Sequence, residues 1–156
     1  MVATPESRAS VLGRIADQIL HNNPHGRRLV AVEGVTANAA SAFADDLAQV
    51  LRDRNESVVR RSIGSVDEET LRSEIVDPFR SGTLKGTDND TLLLVDGERL
   101  LNNTVIGVWH YTVWTFQGDQ LPHGKANFNV DLSDNEFPRD HYYDLCKLPP
   151  TFGERG

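Results

Sequence analysis

A run near the start of the chain has the residue types and spacing of a site for phosphate chemistry: Leu29-Val30-Ala31-Val32-Glu33-Gly34, then Val35-Thr36-Ala37-Asn38-Ala39-Ala40-Ser41. A phosphate-binding loop reads G-x-x-x-x-G-K-S/T; its glycines let backbone N–H groups reach the phosphates, its Lys meets the β/γ oxygens and its hydroxyl holds Mg²⁺. Gly34 and Ser41 stand at the two ends of that spacing, whereas Ala39 and Ala40 take the places of the second Gly and the Lys. A methyl group supplies neither charge nor a hydrogen bond. The second candidate is Asp96, which ends the apolar run Thr91-Leu92-Leu93-Leu94-Val95. Open α/β sheets put their ligand sites at the carboxyl ends of strands, and Asp96 stands at such an end. Gly34, Asn38, Ser41 and Asp96 are therefore the candidate remnant of a phosphate and Mg²⁺ site. Asn38 can donate an amide to an anion or simply suit an irregular loop, and Asp96 can contact Mg²⁺ beside Ser41 or cap a strand end. No catalytic residue and no dedicated metal ligand is assigned.

Other chemistries find little support. His21, His25, His110, His123 and His141 lack the H-E-x-x-H order of a helical zinc site. One cysteine, Cys146, excludes an intrachain disulfide framework and fits a reducing compartment. Trp109 and Trp114 read as core residues, and the segment Pro138 to Asp144 as an acidic and aromatic tail suited to docking on its own domain or on a partner.

The elements needed to position the candidate residues follow in order. Thr4-Pro5-Glu6 predicts a helix start, and Val11, Leu12, Ile15, Ile19 and Leu20 recur at helical spacing up to His21. Leu29 to Val32 reads as a buried strand, and from Ala39 the residues Phe43, Leu47, Val50 and Leu51 make the apolar face of a helix. Ser57 to Ile63 predicts a second strand. Val66 to Val76 predicts a helix closed by Asp77-Pro78, and Ser81 to Asp90 a surface loop. Tyr111 to Phe116 and Ala126 to Leu132 are strand-like, with Gly118, Pro122 and Gly124 between them, so a long hairpin is expected.

From Leu29 to Trp114 this series resembles the uridine kinase-like branch of the P-loop nucleoside kinases. Val58 to Ile63 is similar to that family's second strand, Leu92 to Gly97 to its Walker B strand, and Trp109-His110-Tyr111-Thr112-Val113 to the segment that follows. The resemblance implies a P-loop NTPase-like α/β domain of three layers, mostly parallel sheet flanked by helices, here with an added C-terminal antiparallel strand or hairpin. It implies ATP and Mg²⁺ as ligands only if the altered loop still binds them; otherwise no cofactor is expected. The chain departs from the family beyond the loop as well. Gly64-Ser65 stand where the family carries a pair of aspartates, the substrate-facing stretch between Val66 and Asp67 is missing, and Gln117 to Lys125 replaces the arginine-bearing lid.

At 156 residues the chain is expected to form a single domain (1–28 N-terminal helix and loop, 29–116 kinase-like core, 117–156 divergent extension). Sixteen Lys and Arg against 23 Asp and Glu, a formal charge of −7, give no nucleic-acid footprint. No segment has the apolar length of a membrane span or a signal core, so a cytoplasmic protein is expected. The functional expectation is a catalytically inactive kinase-like protein that binds a partner, another copy of itself or a different protein, through its extension. The alternative is a nucleotide, nucleoside or anion binder without phosphoryl transfer. An active kinase would need Arg27, Arg28 or Lys147 to reach the phosphates.

Overall fold

Ser7 opens the first helix: its backbone is extended and its hydroxyl accepts the Ser10 N–H at 3.2 Å, so helix α1 runs Arg8–Asn22. Thr4-Pro5-Glu6, the expected helix start, lies outside the residues that the computed structural model describes, 7–117, 120–134, 136 and 138–140. Val11, Leu12, Ile15, Ala16 and Ile19 form one buried face of α1, as the 3.6-residue period requires. β1 (Arg28–Gly34) is buried through its first five residues and passes through Val35 and Thr36 alone into α2 (Ala37–Asp53). Then come β2 (Val58–Ser62), α3 (Glu68–Leu71), a π-helical turn Arg72–Val76 and α4 (Asp77–Ser81). β3 (Leu92–Asp96), a 3-10 turn Ile106–Val108, β4 (Tyr111–Phe116), β5 (Phe128–Asp131) and β6 (Arg139–Asp140) complete the described elements.

The sheet order is β2-β3-β1-β4-β5-β6. β1 to β5 are all parallel, with Val32 beside Asp96 on one side and Val113 on the other. β6 pairs antiparallel with the end of β5 over two residues. Alternation splits each central strand between two cores. Val30, Val32, Leu92, Leu94 and Val113 meet α1 and α2, while Leu29, Ala31, Leu93, Val95 and Trp114 meet α3, α4 and the loop 97–109. The result is an α/β domain with helices on both faces of a parallel sheet, which explains why the strands read as unbroken apolar runs.

Three expectations are corrected. Asp77-Pro78 does not close a helix: the π-helical turn hands the chain to α4, where Pro78 occupies a first-turn position that needs no N–H partner, and Gly82 (φ 81°) makes the stop. β4 and β5 are parallel neighbours and not a hairpin. Their link, residues 117–127, can span up to ~36 Å, against roughly 20 Å for a strand of β4's length, so the chain returns to the same end of the sheet with no helix among the described residues of the link. It is latched there: Trp114 Nε1 donates to Leu121 O at 3.0 Å, while Asn129 accepts from His123 N at 2.7 Å and donates to His123 O at 3.1 Å. Finally, α2 starts at Ala37, so Ala39 and Ala40 lie inside the helix. Lys147, Cys146, His141 and the tail beyond Asp140 lie outside the described residues.

Candidate functional site

The register that puts Val32 beside Asp96 brings the β1–α2 turn and the end of β3 to one edge of the sheet. The side chain that joins them is one the sequence reading did not single out. Arg60, on β2, points to the α2 side, and its side chain is only 14% exposed. Its Nη1 lies 2.5 Å from Asp96 Oδ1, an ionic contact outside hydrogen-bond alignment. Nη2 donates to Ser41 O at 3.2 Å and to Ser41 Oγ at 3.4 Å. Nε stands 3.1 Å from Asp45 Oδ1, and Ser62 Oγ donates to Asp96 Oδ2 at 3.1 Å. The hydroxyl and the carboxylate expected to share a cation are thus brought together, and the cation between them is a guanidinium. A divalent ion 4 Å from that guanidinium would meet a repulsion of about 8 kcal/mol at an effective dielectric of ~20. Arg60 and Mg²⁺ exclude each other there.

The other candidates have structural employment. Gly34 lies under β4: a Cβ there would sit 2.0 Å from Thr115 Oγ1 and 2.7 Å from Thr115 O. Asn38 is exposed in the first turn of α2, on no loop. Ala40, at the Lys position, is 2% exposed and packs in the α2 core. Only Val35 and Thr36 separate strand from helix, too short a turn for a cradle of amides around phosphates. Glu33 takes the Arg99 N–H at 2.8 Å and the Leu101 N–H at 3.0 Å, so it clamps the loop after β3. Gly64 O accepts the Glu98 N–H and fastens the same loop.

Arg28 is at the far end of β1 and is 1% exposed. Its guanidinium pairs with Glu56 Oε1 at 2.5 Å and donates to the carbonyls of Gly26, Asn23, Pro24 and Asp90. It ties three loops together at the edge opposite the candidate site and does not approach Asp96, which removes it as a phosphate ligand.

No protein-family model matches the chain, and no curated protein matches it. Function must therefore be read from this edge of the sheet.

On the other face of the sheet from the Arg60 cluster lies an open cleft of about 160 Å³ between the start of α3 and the loop after β3, lined by Val66, Asp67, Glu68, Leu71, Glu98 and Arg99 among others. Asp67 is held below the usual carboxylate range by the Thr70 N–H that it caps, and Glu68 by hydrogen bonding to Thr104 and Arg72. Both carboxylates are charged and spoken for, so neither is poised as a base. Among the described residues no group of three or more His, Cys, Asp and Glu could hold a metal ion, and no helix is long and apolar enough to cross a membrane.

The signal for Arg60 lies in the alternation along β2: a charged residue on the same strand face as the core-facing Val58 needs a partner, but which one depends on the sheet order, which sets Arg60 beside Leu94 and Ser62 beside Asp96.

Proposed function

We propose that this chain is a catalytically inactive protein of the uridine kinase-like, P-loop NTPase type, with a binding or interaction role, and that its own Arg60 holds the cation position of the former site. The observation that carries the reading is the Arg60 bridge between Asp96 and Ser41. Phosphoryl transfer rests almost wholly on positioning and electrostatic stabilisation. Here the Lys position is a core alanine, the loop is two residues long, and the carboxylate that would carry Mg²⁺ is neutralised. ATP and Mg²⁺ have no role in this proposal. The occupant is a protein, another copy or a different chain, engaged through the C-terminal extension, and the acidic composition with a single cysteine supports a reducing, cytoplasmic setting.

The test is thermal unfolding with ATP, MgCl₂ and a nucleoside panel, alongside a coupled turnover assay. A ligand at 100 times its Kd adds about 2.7 kcal/mol of stability, so binding would be plain. The expected result is no shift and no turnover. Mg²⁺-dependent stabilisation by ATP with nucleoside-dependent turnover overturns the proposal.

One observation favours a second reading, an anion binder without transfer: Thr36 caps α2 with its backbone alone and makes no side-chain bond to the first-turn amides. That end of α2 carries a positive dipole. Stabilisation by phosphate or sulfate without Mg²⁺ would select this reading over the first.

A further inference from the structure

β2 is the outermost strand on its side of the sheet among the described residues. In its parallel ladder with β3, Ser57 O accepts from Leu92 N and Ile63 N donates to Asp96 O. Because backbone polar groups alternate along a strand, the odd-numbered residues face β3 and Val58, Arg60 and Ser62 turn their N–H and C=O groups outward. An outward row of this kind is a template for another strand. Two of its three carbonyls are already taken. Arg52 Nη2 donates to Val58 O at 3.3 Å, and Arg61 Nη1 donates to Arg60 O at 3.1 Å. The Arg61 fork also reaches Lys85 O at 3.5 Å, which anchors it to a second segment.

We propose that Arg52 and Arg61 are caps that close the β2 edge against pairing with β2 of a second copy. The strand is self-complementary for that purpose. An antiparallel pair centred on Arg60 sets Val58 opposite Ser62 of the other copy, so every outward N–H and C=O finds a partner about one two-fold axis. In the capped strand a second chain must displace two guanidinium bonds and bring Arg61 side chains together. Arg60 adds little to the repulsion, since Asp96 and Asp45 balance its charge. The cap goes beyond the proposed function, because it concerns the edge of the sheet and not the former cation site.

The experiment compares the full-length wild type with Arg52→Ala/Arg61→Ala by sedimentation velocity over a concentration series, with amide exchange followed residue by residue. Both caps leave from the outside of the sheet, and unfolding curves establish that the variant is folded; Arg52→Lys/Arg61→Lys serves as a second variant that keeps the charge and loses the fork. The expected result is self-association at least roughly tenfold tighter than wild type, from the backbone bonds gained, with concentration-dependent protection of the Val58, Arg60 and Ser62 amides in one or both variants. If both folded variants sediment as the wild type does, or associate without protection in β2, the capping role is wrong.

Discussion

Replacing Gly34 by alanine separates the structural explanation of this glycine from the phosphate-loop explanation. The added Cβ would lie 2.0 Å from Thr115 Oγ1, 2.7 Å from Thr115 O and 3.2 Å from Thr115 Cβ, whereas carbon contacts settle at ≈ 3.5–4.0 Å. Turning the Thr115 side chain cannot clear the space, because a β-branched residue presents another substituent, and the backbone oxygen is fixed by the Val35 N–H at 3.1 Å. β1 and β4 must part locally. Overpacking of this kind costs about 1–3 kcal/mol, and losing the Val35 bond adds about 1 kcal/mol. The lower entropy of an unfolded chain with Ala in place of Gly returns about 0.4–1 kcal/mol. The net expectation is a loss of about 1–3.5 kcal/mol, read from urea unfolding as a lower midpoint at unchanged slope. Thr115→Ala removes the nearest obstacle but leaves the carbonyl, so the double variant should recover about 1 kcal/mol relative to additivity. A Gly34→Ala protein within 0.5 kcal/mol of wild type, or one with no coupling to Thr115, refutes the packing account.

Three further outcomes are expected. Arg28→Ala leaves Glu56 without its buried partner and should cost about 3–5 kcal/mol in denaturant unfolding, whereas breaking the exposed Arg72 and Glu68 pair should leave the unfolding midpoint almost unchanged. His110 accepts the Leu29 N–H through Nδ1 at 2.9 Å, and burial, with the charge of Arg80 next, holds its pKa below the ordinary 6.5. The unfolded chain therefore takes up the proton first, so this contribution to stability is complete above pH ~6.5 and declines as pH falls from there toward the native pKa. Stability measured from pH 7.5 to 5.5 should fall more steeply for wild type than for His110→Asn, which keeps an acceptor and cannot titrate; parallel curves would contradict the assignment. Glu33→Ala frees the Arg99 and Leu101 amides, and hydrogen exchange should speed up across residues 98–105 while the central strands stay protected.

The fold was legible where periodicity and burial coincide. β1 and β3 read as buried strands because helices cover both faces of a parallel sheet, and α2 because Phe43, Leu47 and Leu51 repeat on one face. Local turn chemistry misled where tertiary packing overrode it: Pro78 fits the first turn of α4 as well as it fits the end of a helix, and Pro122 and Gly124 serve a parallel return as well as a hairpin. In the candidate site the spacing of Gly34, Ser41 and Asp96 was visible, because it depends on residues near one another in sequence or at strand ends. The Arg60 bridge was not, because it depends on the sheet order: only with β3 between β1 and β2 can a side chain from β2 reach across to both Asp96 and Ser41.

That order also bears on the proposed cation site. Without Arg60, Asp96 and Ser41 would face water, and such a pair could take a metal ion at small cost. In this chain the same two groups are engaged by a cation that is part of the fold, with Asp45 as a second counter-charge and Ser62 holding the other carboxylate oxygen. Removing Arg60 leaves a buried carboxylate that is 4% exposed without its ion pair, a change that typically costs 3–5 kcal/mol. The two roles of this position are therefore coupled with opposite signs: Arg60→Ala should be less stable in the absence of divalent ions, and Mg²⁺ should stabilise it more than it stabilises wild type. If Arg60→Ala is destabilised but gains nothing from Mg²⁺ in thermal unfolding, Asp96 and Ser41 are not arranged for a metal, and Arg60 is a strut and not a substitute cation.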